Sequence, residues 1–384
     1  MRRGSTIGAL LALLVAATGH GQTPDRSEDG PPGIGSGDTE ESIAWPTAGW
    51  RVRPLDEATR SRPAFRALEN YLFPPDFDES SRSGVRTDGI VVVQGDALVY
   101  ERYGRGYTAE MAHPAWSVSK TLVDALYGVA VQQGLLALDD PVAARSGVLA
   151  DDGRAAITFR HLLQMTSGLD FREAYEWAPL RSSVIAMLYT RGRADMARFA
   201  AGHEEAHPPG SAFAYASGDS VLLMAALRDV VGEEAYADWP WVALFDVLGM
   251  EATLERDAAG TFVGSSYLYA SPRDLAKLGF LYLQDGRWKD RQLLPKGWAQ
   301  QAGEPGPAPF YGRHWWTNRG EAGERPWPAA PPDTIAGSGH WGQKLFVIPS
   351  RDLVIVRTGD DRDRSFDTGA FLRLVLAAFP ADAP

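Results

Sequence analysis

Hydrophobic and polar positions along this chain follow two different periods. Short runs rich in Val, Ile and aromatic residues predict β-strands, and they lie near the two ends of the chain. These runs are residues 89–94, 97–103, 312–317, 344–348 and 353–357. Gly95 and Asp96 join the first two runs as a hairpin turn, and residues 349–351 form a turn between the last two.

Apolar residues spaced three and four positions apart predict helices in the rest of the chain. The predicted helices cover residues 62–73, 117–133, 158–165, 217–231, 271–284 and 366–379. Thr158 is the expected N-cap of one helix, and Ser271 is the expected N-cap of another, with Asp274 at the capping-box position. Helices therefore dominate the middle of the chain, where residues 138–261 show no clear strand pair.

Strands at both ends with helices between them predict one antiparallel β-sheet flanked by helices, an α/β (α+β) fold. The sheet domain would comprise residues 45–137 and 262–384. Residues 138–261 would form an inserted, mostly helical domain, and a functional site is expected in the cleft between the two.

The N-terminal residues read as an export signal. Arg2 and Arg3 precede the apolar run 7–17 and a stretch of small residues, which predicts a signal peptide over residues 1–21. The run is too short to span a membrane, although an uncleaved N-terminal anchor is the alternative. Residues 22–44 are rich in Gly, Pro, Ser and acidic residues, so we expect a disordered spacer and a protein that is periplasmic or secreted.

Composition narrows the class of protein. The 384 residues carry a net charge of −11 and are 45 % hydrophobic, which indicates a globular protein with a large core and argues against a nucleic-acid partner. The chain contains no cysteine, so disulfides cannot stabilise it in an oxidising compartment.

The segment Trp116-Ser-Val-Ser-Lys120 carries the candidate chemistry. If a helix begins at Ser117, then Ser117 and Lys120 share one face, as a nucleophile beside its base. Lys120 would have to lose its charge, which needs a drop of roughly three pKa units from about 10.4 and hence a partly dry site. The unpaired N–H of Ser117 would point to where an acyl oxyanion forms. The alternative is a helix-capping serine and a chance lysine.

Two other motifs fail on their context. Residues 203–207 spell H-E-x-x-H, but Gly202 precedes the motif and Pro208 follows it, so we expect a polar turn and no zinc site. Residues 337–342 match G-x-G-x-x-G, but a strand-like run follows where dinucleotide binding needs a helix. No cofactor and no metal are therefore expected.

Tyr215 lies in a predicted loop just before the helix at 217–231. Its hydroxyl group is able to face a cleft from there, where a nearby ammonium would lower its pKa. A half-buried aromatic residue, with Ser217 as the N-cap of the helix, is the alternative.

Five segments together resemble the serine β-lactamase and penicillin-binding superfamily, in particular its class C and esterase-like branch. They are VVVQGDALVYERYGRGY, SVSK, HLLQMTSGLDF, PGSAFAYASGDSVLL and GHWGQKLFVIPSRDLVIVRTG, in that order between residues 91 and 359. The Ser-x-x-Lys motif is the nucleophile motif of these enzymes. The resemblance implies a sheet domain with a helical domain and a site between them.

The resemblance also implies roles for individual residues. Ser117 would be the acylated nucleophile, Lys120 its base or proton relay, and Tyr215 the tyrosine of the family's Tyr-x-Asn motif, which passes the proton to the leaving group. Residues 340–342, His-Trp-Gly, stand where the family has Lys-Thr-Gly or His-x-Gly on the sheet edge. Gln343 would then supply the second oxyanion N–H, beside that of Ser117.

Two departures from the family pattern put β-lactam hydrolysis in doubt. Ser217 replaces the asparagine of Tyr-x-Asn, and His340 with Trp341 replaces Lys and Thr, so a permanent cation is lost. Tyr-x-Ser-Gly-Asp and Gly-His-x-Gly-Gln are more similar to the branch of nylon-oligomer hydrolases and carboxylesterases. The substrate-binding residues would be Trp116, Ser217, His340, Trp341 and Gly342. Apolar walls would come from Trp116, Trp341, Trp315 and Trp177, or some of these would fill the core.

The sequence therefore predicts an exported serine hydrolase that cleaves a small ester or amide through an acyl-enzyme on Ser117. D-Ala-D-Ala carboxypeptidase or β-lactamase activity is one alternative. A non-catalytic ligand-binding relative of the same fold is the other. The partner would be a small-molecule substrate, and the oligomeric state is left open.

Overall fold

A computed structural model describes residues 43–149, 154–321 and 323–380, so the predicted signal peptide and nearly all of the predicted spacer lie outside the described residues. The strands are β1 Arg51–Val52, β2 Thr87–Gln94, β3 Ala97–Tyr103, β4 His113–Pro114, β5 Ala252–Leu254, β6 Leu268–Ala270, β7 Arg287–Trp288, β8 Arg291–Gln292, β9 Trp316–Thr317, β10 Ile335–Gly339, β11 Gln343–Ile348 and β12 Leu353–Gly359. The α-helices are α1 Glu57–Ser61, α2 Pro63–Leu72, α3 Ser119–Gln132, α4 Phe159–Leu163, α5 Ser183–Tyr189, α6 Met196–Ala201, α7 Ser217–Val231, α8 Glu233–Tyr236, α9 Asp246–Leu248, α10 Pro272–Leu283, α11 Trp298–Ala302 and α12 Thr368–Ala378. None of the described helices is long and apolar enough to cross a membrane.

The main sheet has seven strands in the order β1-β3-β2-β12-β11-β10-β9. Every pairing in it is antiparallel except the short parallel pair β1 and β3. Strand β12, near the end of the chain, lies directly beside β2, with Leu353 opposite Gln94. The predicted antiparallel sheet built from both ends of the chain is confirmed.

The two faces of this sheet bury two separate cores. Val91 and Val93 point to one face and pack with helices α3, α7 and α10, whereas Ile90 and Val92 point to the other and pack with α2 and α12. This alternation follows from the two-residue period of a strand. Because both faces are covered, the central strands are apolar at nearly every position.

Residues 43–380 pack together as one compact unit, within which the predicted boundaries at 138 and 261 stay a prediction. Residues 138–261 contribute one strand that the sequence pattern did not predict: β5 pairs with β6, which lies outside this range, and β4 completes the small sheet. Three-residue strands give too short an alternation to be recognised in a sequence.

The predicted strand at 312–317 is also mostly wrong. Only Trp316 and Thr317 belong to β9, because His314 has a positive φ of 56°, which a strand cannot contain. The other predicted helices and strands agree with the structure to within a few residues, including Thr158 and Ser271 as N-caps.

Helix α3 is anchored by a buried ion pair. Asp124 accepts hydrogen bonds from the hydroxyl group of Tyr282 at 2.6 Å and from the indole of Trp298 at 3.0 Å, and it pairs with Arg313 at 3.3 Å. Both charged side chains are buried. This cluster fixes the helix whose first turn carries Lys120.

We expect Asp124→Ala to lower the free energy of unfolding by about 3–5 kcal/mol, because Arg313 would remain as a buried charge without its partner. Urea denaturation followed by circular dichroism measures this loss. Asp139→Ala is the matched control, since its pair with Arg160 lies at the surface and contributes less than about 1 kcal/mol. A loss below about 1 kcal/mol for Asp124→Ala would contradict the anchoring role.

Candidate active site

Ser117 lies in a single 3-10 turn, Trp116–Val118, that leads into α3. The α-helix thus begins at Ser119, two residues later than predicted. Trp116 has a φ of 48°, a left-handed conformation that costs energy in a residue with a large side chain. The turn packs on β10, where a side chain at Gly337 would meet Val118 and Thr121. The half-buried Ser117 hydroxyl group is therefore held on a rigid, strained turn.

Lys120 is 1 % exposed and lies at the centre of a polar cluster. Its Nζ atom is 3.0 Å from Ser117 Oγ, 3.1 Å from Ser217 Oγ and 3.0 Å from the carbonyl oxygen of Ser265. Burial lowers the pKa of Lys120 from 10.5 to about 8, against the nearby carboxylates of Glu173 and Asp219, which raise it. The predicted pair of Ser117 and Lys120 is present, and the pKa of Lys120 is lowered in the predicted direction.

The carbonyl group of Ser265 reaches Lys120 because the small sheet holds the chain there. Strand β6 begins three residues after Ser265, and β4, just before the turn of Ser117, pairs with it. Ala115 N donates to the carbonyl oxygen of Leu268 at 2.8 Å. Backbone hydrogen bonds thus join the segment that carries Ser117 to the segment that carries the carbonyl group of Ser265.

Tyr215 lies in the loop before α7, as predicted, and its ring centre is 4.9 Å from Lys120 Nζ. Burial raises the pKa of Tyr215, and the nearby Ser117 side chain partly opposes that rise. The lowered pKa suggested from the sequence is therefore wrong. Ala216, and not Ser217, is the N-cap of α7, which leaves the Ser217 hydroxyl group free to contact Lys120.

Glu173 is a site residue that the sequence reasoning missed. Its carboxylate accepts hydrogen bonds from Ser217 N at 2.9 Å, Ser217 Oγ at 2.6 Å and the hydroxyl group of Tyr175 at 3.2 Å. It lies 44 residues before Ser217 in a segment without regular structure. Only its position shortly after HLLQMTSGLDF pointed to it in the sequence.

The side chains around Lys120 define the direction of each hydrogen bond. Ser217 gives its hydroxyl proton to Glu173, so Ser217 Oγ accepts from Lys120. The carbonyl oxygen of Ser265 is an acceptor only. An uncharged Lys120 would spend its two N–H groups on these acceptors, and its lone pair would face Ser117.

Residues 340–342 form the turn of the hairpin between β10 and β11, whereas Gly337 and Gly339 lie in β10, as the predicted strand edge requires. Trp341 has a φ of 56° and Gly342 a φ of 91°, which a strand does not allow. His340 Nε2 is 2.8 Å from Glu176, and its ring stacks on Tyr175 with centres 4.5 Å apart. The alignment of His-Trp-Gly with the family's Lys-Thr-Gly or His-x-Gly stays a prediction.

Gln343 closes this hairpin. Its side chain is buried, donates to the carbonyl oxygens of His340 and Gly359, and accepts from Gly359 N. In the ladder it lies opposite Gly339 on β10, the strand that packs on the turn of Ser117. Strand β9 pairs only with the first two residues of β10, so no strand of the described residues pairs with that edge of residues 337–339.

The tryptophans divide between site and core. Trp116 contacts His340 and Trp341, with ring centres 5.6 Å and 5.3 Å apart. Trp315 is fully buried against Tyr282 and fills the core, so it is no substrate wall.

The H-E-x-x-H segment follows helix α6 as a turn, as its flanking residues predict. His203 Nε2 lies 3.1 Å from Ser183 Oγ and so takes part in local packing. No group of three or more His, Cys, Asp or Glu side chains suited to a metal occurs in residues 43–149, 154–321 and 323–380.

Comparisons with known proteins agree with this architecture. The 6-aminohexanoate-dimer hydrolase of Paenarthrobacter ureafaciens is 25 % identical over 348 residues, which cover 81 % of each chain. Among solved structures, a candidate 6-aminohexanoate-dimer hydrolase from Bacillus anthracis superposes with a TM-score of 0.66 at 20 % identity, covering 86 % of each chain. A penicillin-binding protein homologue from Caulobacter crescentus gives a TM-score of 0.62 at 15 % identity, covering 86 % of this chain and 99 % of that one.

The Beta-lactamase family matches residues 66–378, which span the main sheet except β1 and the whole polar cluster around Lys120. The resemblance drawn from the sequence motifs is thereby confirmed, and so is the conclusion that the protein is an enzyme. The chain belongs to the Beta-lactamase family of serine hydrolases.

Proposed function

We propose that the protein cleaves a small ester or amide by acylation and deacylation of Ser117. The observation that carries this proposal is the buried amine of Lys120, which lies 3.0 Å from Ser117 Oγ. Its other two neighbours, Ser217 Oγ and the carbonyl oxygen of Ser265, both accept hydrogen bonds from it. A serine hydroxyl group needs such a base to become a nucleophile.

In the acylation step, the uncharged Lys120 takes the proton of Ser117 while Ser117 Oγ attacks the carbonyl carbon of the substrate. The carbonyl double bond opens to an oxyanion, which the N–H group of Ser117 stabilises. As the second donor we propose a backbone N–H group of residues 337–339 in place of that of Gln343. Strand β10 packs on the turn of Ser117, and no strand of the described residues pairs with this edge.

Collapse of the tetrahedral intermediate breaks the bond to the leaving group, which needs a proton as it departs. Tyr215 is the donor that we propose, since its raised pKa keeps the phenol protonated at neutral pH and its ring lies beside Lys120. Lys120 then returns its proton to Tyr215. Water repeats the cycle on the acyl-enzyme and releases the acid.

We assign Glu173 a positioning role in this mechanism. In Glu173→Gln, one of the two carboxylate oxygens that accept hydrogen bonds from Ser217 becomes an amide NH₂ group, which cannot accept. The Ser217 hydroxyl group would then no longer be held with its lone pairs toward Lys120. We expect kcat to fall about tenfold or more with KM nearly unchanged. The acid limb of the pH profile should move to lower pH, because the carboxylate raises the pKa of Lys120.

Steady-state kinetics with a p-nitrophenyl ester between pH 5 and 10 measures both effects of Glu173→Gln. The control is Asp170→Asn, which removes an exposed carboxylate from the same segment. A twofold or smaller change in kcat together with an unmoved pH profile would contradict the assignment.

The relatives suggest where to look for the substrate. The curated relative is named for the 6-aminohexanoate dimer, an amide. We propose an ester or amide substrate over a β-lactam because Ser217 occupies the position of the family's asparagine and is engaged by Glu173. We also propose that the protein is exported, on the basis of its N-terminal sequence.

The test compares turnover of a p-nitrophenyl ester, the 6-aminohexanoate dimer and nitrocefin, with intact-mass detection of the acyl-enzyme. The proposal expects an acyl adduct on the peptide containing Ser117 and turnover of the ester or the dimer above that of nitrocefin. Faster turnover of nitrocefin would favour a β-lactamase. No adduct with any acylating probe would favour a non-catalytic relative.

A further inference from the structure

Asp219 is a buried carboxyl group that the proposed mechanism leaves unused. It lies in the first turn of α7, two residues after Ser217, and is 1 % exposed. Ser167 Oγ donates a hydrogen bond to its Oδ1 atom at 2.8 Å. The Oδ2 atom is also buried, and it has no hydrogen-bond partner in the part of the chain that the structure describes. One of the two oxygens of this carboxyl group therefore has no support from the protein.

Two other carboxylates of the protein show how much support a charged group receives. Glu173 accepts hydrogen bonds from Ser217 N, Ser217 Oγ and the hydroxyl group of Tyr175. Asp124 accepts two hydrogen bonds and pairs with Arg313. Asp219 has one hydrogen bond, and the nitrogen of Lys120 is directed to three other oxygens. A buried charge with so little compensation is costly.

The charges around the first turn of α7 also disfavour an ionised Asp219. Burial raises the pKa of Asp219 from 3.8 to about 8; the charge of Glu173 adds to this rise, whereas Ser167 and Lys120 oppose it. Burial moves the pKa of the other titratable groups near this turn away from neutral pH, so that they are uncharged: Tyr215, Tyr311, His161 and His314. The charged side chains of helices α4, α6 and α8, which pack on α7, lie at the surface: Arg160, Arg198, Glu233 and Glu234.

A proton on the Oδ2 atom of Asp219 would resolve this conflict. The carboxylic acid is neutral, so its burial costs much less than that of the anion. Its Oδ1 atom still accepts the hydrogen bond from Ser167. The protonation also matters for Lys120, because the charge of an ionised Asp219 raises the pKa of that amine. With Asp219 neutral, Glu173 is the one carboxylate that holds the proton on Lys120.

We propose that Asp219 is an uncharged carboxylic acid in the folded protein at neutral pH, with its proton on Oδ2, and that it thereby spares Lys120 a second negative charge. The proton is taken up from solvent when the chain folds. Asp219 acts through Lys120, so it is a positioning residue and not a catalytic one. Its effect on Lys120 rests on the proposed function, whereas its protonation does not.

Infrared difference spectroscopy at pH 6 tests the protonation directly. In Asp219→Asn the side chain keeps its size and one oxygen for Ser167, but it carries no charge at any pH. Subtraction of the variant from the wild type should leave the C=O stretching band of a protonated carboxyl group, and this band should shift in D₂O. Asp170→Asn, at an exposed carboxylate, is the control and should remove only the bands of an ionised group. The same ionised bands alone for Asp219→Asn would overturn the inference.

Unfolding equilibria give a second measurement that needs no activity. The carboxyl group ionises with a pKa near 3.8 in the unfolded chain and holds its proton to about pH 8 in the folded one, so stability is lost as the pH rises between these values. The unfolding constant of the wild type, divided by that of Asp219→Asn, should rise about tenfold per pH unit between pH 5 and 7. Asp219→Ser is a second neutral variant, in case the amide variant does not fold. A ratio that does not change with pH would contradict the proposal.

The pH profile of acylation reports the effect on Lys120. In Asp219→Asn the acid limb should stay near pH 8, because no charge is removed below that pH, whereas Glu173→Gln should move the limb to lower pH. A limb that moves as far in Asp219→Asn as in Glu173→Gln would mean that Asp219 is ionised, and the inference would fail. If the wild type forms no acyl adduct, the proposed function is contradicted, while the infrared band and the unfolding ratio still decide the protonation of Asp219.

Discussion

Ser117→Ala should lower kcat/KM for a p-nitrophenyl ester by at least about 10⁴-fold, the scale expected when the nucleophile of a catalytic unit is removed. The mass shift of the acyl-enzyme should disappear entirely, because alanine has no oxygen to acylate. The fold should survive, since the hydroxyl group is half-buried and the turn is held by Val118 packed against β10.

Fluorophosphonate labelling followed by peptide mapping measures the effect of Ser117→Ala independently of any chosen substrate. Ser211→Ala, which removes an exposed serine hydroxyl group before Tyr215, is the control and should label like the wild type. Labelling of Ser117→Ala at another residue, with esterase activity retained, would remove Ser117 from the mechanism.

Lys120→Met should slow acylation by about 10³-fold. Methionine fills the space of the buried side chain without a basic nitrogen, so the loss reports the chemistry rather than a cavity. In the wild type, acylation should rise with pH through about 8, the pKa of Lys120, because only the uncharged amine accepts the proton of Ser117. At pH 7 roughly one molecule in ten would have that form.

Stopped-flow measurement of the acylation rate between pH 6 and 10 gives both the rate and the pH limb. In Lys120→Met the limb near pH 8 should be absent, since the group that titrates there is gone. Lys289→Met, at an exposed lysine, should leave the rate and the limb unchanged. A loss of less than tenfold in Lys120→Met would mean that the lysine is structural.

The structure agrees with the sequence where the pattern was long. Strand β3 and helix α7 have the predicted bounds, because seven and fifteen residues give their periods room to show. Strand β5 is three residues long and was missed. The positive φ angle of Trp341 belongs to a residue type that gives no sign of such a conformation in a sequence.

In the candidate active site, the sequence was sufficient to identify residues that lie close together in one motif. It was not sufficient for residues that are distant in the chain and meet only in the folded protein. Ser117 and Lys120 are three positions apart, so helical geometry alone brings them together. Glu173 reaches Ser217 from a segment without regular structure, and no spacing rule links the two. His340 was placed by analogy with the family's motif on the sheet edge, and it lies in the hairpin turn that joins two strands of that sheet.

The pairing of β2 with β12 has a consequence for how the protein folds. These neighbours in the centre of the sheet lie more than 250 residues apart in the chain, for example Leu353 and Gln94. Folding is slow when contacts are this distant in sequence, since the long intervening loop must be closed first. The hairpin of β2 and β3 therefore lacks its neighbour β12 until the last part of the chain is made. In a ribosome-bound or C-terminally truncated chain, the edge of β2 would be unpaired and prone to aggregation.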